Sequence, residues 1–126
     1  MADHHCYFCD LEEDRILDET ETCFVISDLY PVTELHALII TKRHVASYFD
    51  LNDQERDDVQ RLINKHQHRI SNEDESVTAF NIGINCGEDA GQTVMHCHVH
   101  LIPRRRGDID DPRGGVRGVI PDKRVY

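Results

Sequence analysis

The chain has 126 residues, enough for one domain and too few for two full ones; it is 39% hydrophobic and has no Trp, so any core rests on Leu, Ile, Val and a few Phe and Tyr. With 14 Lys and Arg against 24 Asp and Glu, its net charge of −10 argues against nucleic-acid or anionic-membrane partners, because phosphate backbones reward positive surfaces. No apolar run approaches the ~20 residues of a membrane span.

The opening Met-Ala-Asp-His-His is polar and acidic, with no cationic region followed by an apolar stretch, so no signal peptide is expected. Five cysteines, an odd number, then read as reduced thiols in a cytoplasm rather than as a disulfide framework. The spacing Cys6-Tyr-Phe-Cys9 is that of a metal knuckle. Cys23 to Ser27 is rich in β-formers, and Asp28-Leu-Tyr-Pro31 stops it with turn chemistry. His36 to Thr41 is a short apolar run, better read as a buried strand than as a helix. Asn52-Asp-Gln-Glu55 resembles a capping box, and Val59, Leu62, Ile63 and Ile70 follow at helical spacing, which predicts a helix from Asp53 to about Ile70. His66 and His68 on it read as solvated. Val77 to Asn85 alternates, with Phe80, Ile82 and Ile84 on one face. A polar loop from Gly87 to Gly91 leads to a strand from Val94 to Ile102, and from Gly107 the tail is irregular. Strands before and after one long helix predict an α+β fold with a mainly antiparallel sheet, a single domain over 1–126.

Met95-His-Cys-His-Val-His-Leu-Ile102 carries the strongest chemical signal. In a strand, His96, His98 and His100 share one face while Cys97, Val99 and Leu101 face the core. Coincidence in a His-rich chain is one reading. Metal binding is another: neighbours on that face lie about 6.7 Å apart and can share an ion, but the outer two lie about 13 Å apart and cannot. The third is nucleophilic catalysis, since imidazole is largely neutral at pH 7 and forms labile covalent adducts.

The segment Gly91-Gln-Thr-Val-Met-His-Cys-His-Val-His-Leu-Ile102 resembles the defining motif of the histidine triad superfamily, His-φ-His-φ-His-φ-φ with φ apolar. The resemblance extends to Phe24-Val-Ile-Ser-Asp28 with Pro31, Thr41-Lys-Arg-His44 and Asn81-Ile-Gly-Ile-Asn85, and so to nearly the whole chain. Cys97 fills a slot more often held by a larger apolar residue. The ending Ile102-Pro-Arg104 is closer to the dinucleoside polyphosphate hydrolases than to the phosphoramidases, although many bacterial members with an N-terminal Cys-x-x-Cys share it. The resemblance implies a nucleotidyl hydrolase or transferase, a homodimer whose two sheets join, and a purine nucleotide-derived substrate. It makes His98 the nucleophile on the α-phosphorus and His100 the residue that hydrogen-bonds the phosphate and protonates the leaving group. Asn85 and Thr93 match positions that contact the α-phosphate, Asp28 the position that holds the ribose, and Gln92 a loop position beside them. No metal is required for that chemistry.

In members with the N-terminal cysteine pair, His44 and the first triad histidine complete a metal site, so the resemblance implies structural zinc on Cys6, Cys9, His44 and His96. The alternative leaves Cys6 and Cys9 as free thiols and His44 as a partner of the triad. Two other functions stand beside the enzyme: a nucleotide-binding signalling or interaction module with little turnover, and a structural zinc-binding protein. The charge is uneven. Residues 1–102 hold 7 basic and 20 acidic side chains, residues 103–126 hold 7 and 4. If the strand stays extended past Pro103, Arg104 shares the histidine face and is a candidate grip on a second phosphate.

Overall fold

The computed structural model describes residues 6–126. The leader reading of residues 1–5 therefore lies outside the described residues. Five strands and one long helix follow in the order β1 (Ile16–Glu19), β2 (Cys23–Ser27), β3 (Ala37–Thr41), α1 (Asp53–Glu73), β4 (Val77–Ile84) and β5 (His98–Arg105). The strands form one antiparallel sheet in the order β1-β2-β3-β5-β4. This is the expected α+β architecture. Among the described residues no helix is long and apolar enough to cross a membrane.

The helix starts where the capping box predicts. Asn52 Oδ1 accepts from the Glu55 backbone N–H at 2.8 Å, and Glu55 Oε1 accepts from the Asn52 N–H at 2.9 Å. Glu55 also takes the Arg43 guanidinium through both oxygens, which is why a carboxylate can sit 98% buried there. Val59, Leu62 and Ile70 are buried against Val25, Ile39, Val99 and Leu101 on one face of the sheet, each contributing roughly 1.5–3 kcal/mol. The helix runs three residues past Ile70, to Glu73.

His66 corrects the solvated reading. It is buried, donates from Nε2 to Asp18 Oδ2 at 2.8 Å and accepts from Arg69 Nε at Nδ1. That pair ties β1 to the helix. His68 is exposed as expected.

The other face of the sheet is covered by the N-terminal segment, with Phe8 packed on Phe24, Ile26, Leu38 and Ile40. β4 ends the sheet, so Ile82 remains 49% exposed although it shares its face with the half-buried Phe80 and Ile84. β5 begins at His98, four residues later than the sequence suggests, and continues through Pro103 to Arg105. Pairing with β3 stops at Ala37–Leu101, so the missing N–H of Pro103 breaks no ladder on that side.

Candidate active site

Antiparallel register sets two rows of side chains across the free face of the sheet. Phe24 pairs with Ile40, which pairs with His98; Ile26 pairs with Leu38, which pairs with His100. Ile26, Leu38, His98 and His100 of these rows line a cavity of about 480 Å³. Val99 and Leu101 point to the opposite face and are buried under the helix. The alternation read from the motif therefore holds from His98 onward. His96 lies before the strand and is completely buried.

Hydrogen bonds fix the proton on each imidazole. His98 Nδ1 lies 2.7 Å from the backbone carbonyl of His96. A carbonyl only accepts, so Nδ1 carries the proton and Nε2 keeps its lone pair. The edge of Phe8 packs on this ring at 5.0 Å between centroids.

His100 is set by His36, to which the motif reading assigns no role. The Val32 backbone N–H donates to His36 Nδ1 at 3.1 Å, so the His36 proton sits on Nε2. That Nε2–H lies 3.0 Å from His100 Nδ1 and 3.5 Å from Asp28 Oδ2. His100 Nδ1 thus accepts, and its own proton is on Nε2. Asp28, His36 and His100 bring three ligand-type atoms together, but a protonated Nε2 has no lone pair for a metal. The His36 Nε2–H donates to His100 Nδ1, and the Asp28 carboxylate faces the same N–H from 3.5 Å. The one signal that could have found His36 is alternation, which puts it on the same face as Leu38 and Ile40.

Burial above all, with His98 and His36 alongside, pulls the His100 imidazolium down to about 4. Burial likewise lowers His36 and His66, against the opposing pull of Asp28 and Asp18. These rings bind protons less readily folded than unfolded, where histidine titrates near 6.5. Stability is therefore greatest above about pH 6.5 and falls as the pH drops toward 4. Thermal melts at pH 5 should show a midpoint lower than at pH 7.5 by roughly 5 °C or more. Identical midpoints would mean that these imidazoles titrate freely.

Asp28, Asn85 and Thr93 line the same cavity as the two histidines. One Asp28 oxygen caps the turn by accepting from the Tyr30 N–H at 2.8 Å, while the other faces His36. Gln92 does not line the cavity. It is buried, its Oε1 accepts from the Gly87 N–H, and its Nε2 donates to the carbonyls of Ala46 and Val94. These bonds close the Gly87–Gly91 turn, whose two glycines need φ of +101° and +96°. At that loop position Gln92 braces the turn that precedes Thr93. Arg104 is also spent elsewhere, on both oxygens of Asp108 and on Asn81 Oδ1.

Cys6, Cys9, His44 and His96 bring four ligand atoms within 4.8 Å of one another. Sγ of Cys6 lies 3.3 Å from His96 Nδ1, and Sγ of Cys9 lies 3.3 Å from His44 Nδ1 and 3.6 Å from His96 Nδ1. Tetrahedral zinc with ordinary bond lengths separates sulfur from nitrogen by about 3.6 Å. His96 Nε2 donates to the Thr41 carbonyl at 2.7 Å, which leaves Nδ1 unprotonated toward the thiols. The donor set fits a metal ion.

A HIT domain family model matches residues 11–107. The chain belongs to the HIT domain family. It is 40% identical over 105 residues to the nitrilase and fragile histidine triad fusion protein NitFhit of Caenorhabditis elegans, covering 78% of this chain and 22% of that protein. It is 37% identical over 97 residues to the asymmetrical bis(5'-nucleosyl)-tetraphosphatase of Schizosaccharomyces pombe, covering 77% and 53%. The chain thus spans less than two thirds of either relative. An adenosine 5'-monophosphoramidase of Candida albicans is 33% identical over 114 residues, covering 83% of this chain and 74% of that protein. Among solved structures, a Zn-bound histidine triad family protein from Mycobacterium smegmatis superposes with a TM-score of 0.71 at 32% identity, covering 82% and 77% of the two chains.

Proposed function

We propose that this HIT-family chain hydrolyses a nucleoside phosphate derivative, a dinucleoside polyphosphate or an adenylyl phosphoramidate, through a nucleotide held covalently on His98. The single observation that carries this reading is the His98 Nδ1–H bond to the His96 carbonyl, which leaves Nε2 as a lone-pair donor inside a cavity with Asn85 and Thr93. A pure binding module has no need of that tautomer.

In the first step the Nε2 lone pair forms a bond to the α-phosphorus, and the bond from phosphorus to the leaving group breaks. The ring becomes cationic, and the His96 carbonyl stabilises it. Asn85 and Thr93 donate to the phosphate oxygens, and Asp28 holds the ribose hydroxyls. In the second step water bonds to phosphorus, the Nε2–phosphorus bond breaks, and His98 returns neutral with its Nδ1 proton untouched. Nucleoside monophosphate leaves, and the water's proton passes to solvent.

His100 enters as a neutral donor, its Nε2–H meeting the phosphate oxygens. Because its Nδ1 already faces the His36 N–H, a second proton has no place on that ring. A polyphosphate departs as an anion and needs none, whereas an amine does. This favours the polyphosphate class over the phosphoramidate, the reading that the C. albicans relative supports.

His36 acts through His100. Substituting His36→Phe keeps the ring but removes the N–H that fixes the His100 tautomer. kcat should fall about 10–100-fold with KM nearly unchanged. A loss confined to KM, or a loss of fold by circular dichroism, would contradict that positioning role.

The wider reading places zinc on Cys6, Cys9, His44 and His96, where it would staple the N-terminal segment to the catalytic strand and take no part in the chemistry. The fit of the donor set and the Zn-bound relative support it. A homodimer joined through β4 is supported by the position of that strand at the sheet's end and by the exposure of Ile82. The described cysteines form no disulfide with one another, which supports a reducing, cytoplasmic setting. Assay of wild type and His98→Ala on a panel of dinucleoside polyphosphates and nucleoside phosphoramidates tests the function. Turnover of the panel by wild type alone is expected; no turnover by wild type would leave the binding module in its place.

A further inference from the structure

We propose that Arg15, together with the backbone carbonyl of Ser27, reads the edge of the nucleotide's base and selects a 6-oxopurine over adenine. This rests on the proposed binding of a nucleotide with its phosphate at His98. Among the described residues Arg15 is the one Lys or Arg lining the cavity. Its place in the fold separates it from the phosphate. The histidine row crosses β5, β3 and β2 in order, and Arg15 directly precedes β1, whose Ile16 pairs with Ile26 of β2. Three strand spacings put the Arg15 backbone about 14 Å from the triad strand. The bond from its guanidinium to the β2 carbonyl of Ser27 keeps the charged end about two spacings, roughly 10 Å, away, too far to contact the phosphorus that His98 attacks. A second path agrees. From His98 the cavity wall steps to Phe8 at 5.0 Å, to Tyr7 at 5.4 Å, and to the Arg15 guanidinium at 5.7 Å. A nucleotide with phosphate at His98 and ribose at Asp28 therefore carries its base toward Tyr7 and Arg15.

The guanidinium is held rather than loose. Nη1 donates to the Tyr7 hydroxyl, and Nη2 donates to the Ser27 carbonyl at 3.2 Å. Of its five N–H donors these bonds use two. Ser27 is an exposed residue between the lining residues Ile26 and Asp28, and its carbonyl keeps a second lone pair beyond the Arg15 bond. A donor that lines the cavity and an acceptor bonded to it thus stand side by side next to that lining. Guanine and hypoxanthine offer the complement, an O6 acceptor next to an N1–H donor. Adenine reverses both, presenting N6–H₂ to a donor and N1 to an acceptor. A mismatch of this kind leaves polar groups unpaired and is discriminated far better than a change of shape.

The test is calorimetric titration of the full chain with GMP, IMP, AMP and UMP, using wild type, Arg15→Ala and Arg15→Lys. In wild type, GMP and IMP should bind alike and at least about tenfold tighter than AMP. UMP shares the edge but is shorter and should bind more weakly than GMP. Arg15→Ala should bring GMP and IMP down to the AMP affinity and leave AMP within about twofold, and Arg15→Lys should not restore the preference. AMP binding as tightly as GMP in wild type would overturn base reading while leaving the nucleotide site standing. So would an equal loss for all four ligands in Arg15→Ala, which would make Arg15 a brace for Tyr7. Failure of every monophosphate to bind wild type would overturn the site itself.

Discussion

A His98→Ala enzyme should lose at least about a thousandfold in kcat while binding nucleoside monophosphate within about threefold of wild type. The expected split follows from geometry. His98 is half-buried on a strand whose neighbours, Val99 and Leu101, hold the fold through the opposite face. Removing the ring deletes the lone pair without touching the helix packing, and Asp28, Asn85, Thr93 and the apolar floor remain to hold the ligand. Phe8 loses one ring contact, but it stays packed on Phe24, Ile26, Leu38 and Ile40. Steady-state kinetics with calorimetry on the same preparation checks both halves. Turnover near the wild-type rate would rule out His98 as the nucleophile.

The second large effect is on stability. Purified protein should carry about one zinc per chain, and stripping it should lower the melting midpoint by roughly 10 °C or more. The four proposed ligands come from three places far apart in sequence: the N-terminal turn, the residues after β3, and the residues before β5. Without the ion, two thiols and two imidazoles are gathered with only 3.3–3.6 Å contacts to hold them. Cys6→Ser with Cys9→Ser should reproduce the loss and make the midpoint insensitive to chelator. Protein isolated without metal, equally stable with and without chelator, would favour the free-thiol reading.

Much of this architecture is legible in the residues. The Asn52–Glu55 box and the spacing of Val59, Leu62 and Ile70 set the helix, because a reciprocal cap and an apolar stripe are local signals. Alternation from His98 to Leu101 sets which side chains meet the cavity and which meet the helix. What escaped is what depends on partners distant in sequence. The four residues of β1 carry only Ile16 and Leu17 as apolar signal, and the strand exists through pairing with β2 and the Asp18–His66 bond. β5 starts late because His96 turns inward to face Cys6 and Cys9, which no alternation within the motif foretells. Gln92 and Arg104 share the sequence neighbourhood of the triad, yet their hydrogen bonds are satisfied inside the scaffold. His36 lies 64 positions before His100, and only the antiparallel pairing of β3 with β5 brings the two rings together.

The proposed covalent intermediate can be tested for directly. Wild-type protein mixed with excess substrate and quenched in alkali, where the acid-labile phosphoryl-imidazole bond survives, should show by mass spectrometry a gain of one nucleoside monophosphoryl group. Digestion should place that group on the peptide carrying His98, and His98→Ala should show none. Rapid turnover with no adduct at any quench time, or an adduct on His100 or His96, would contradict nucleophilic attack by His98.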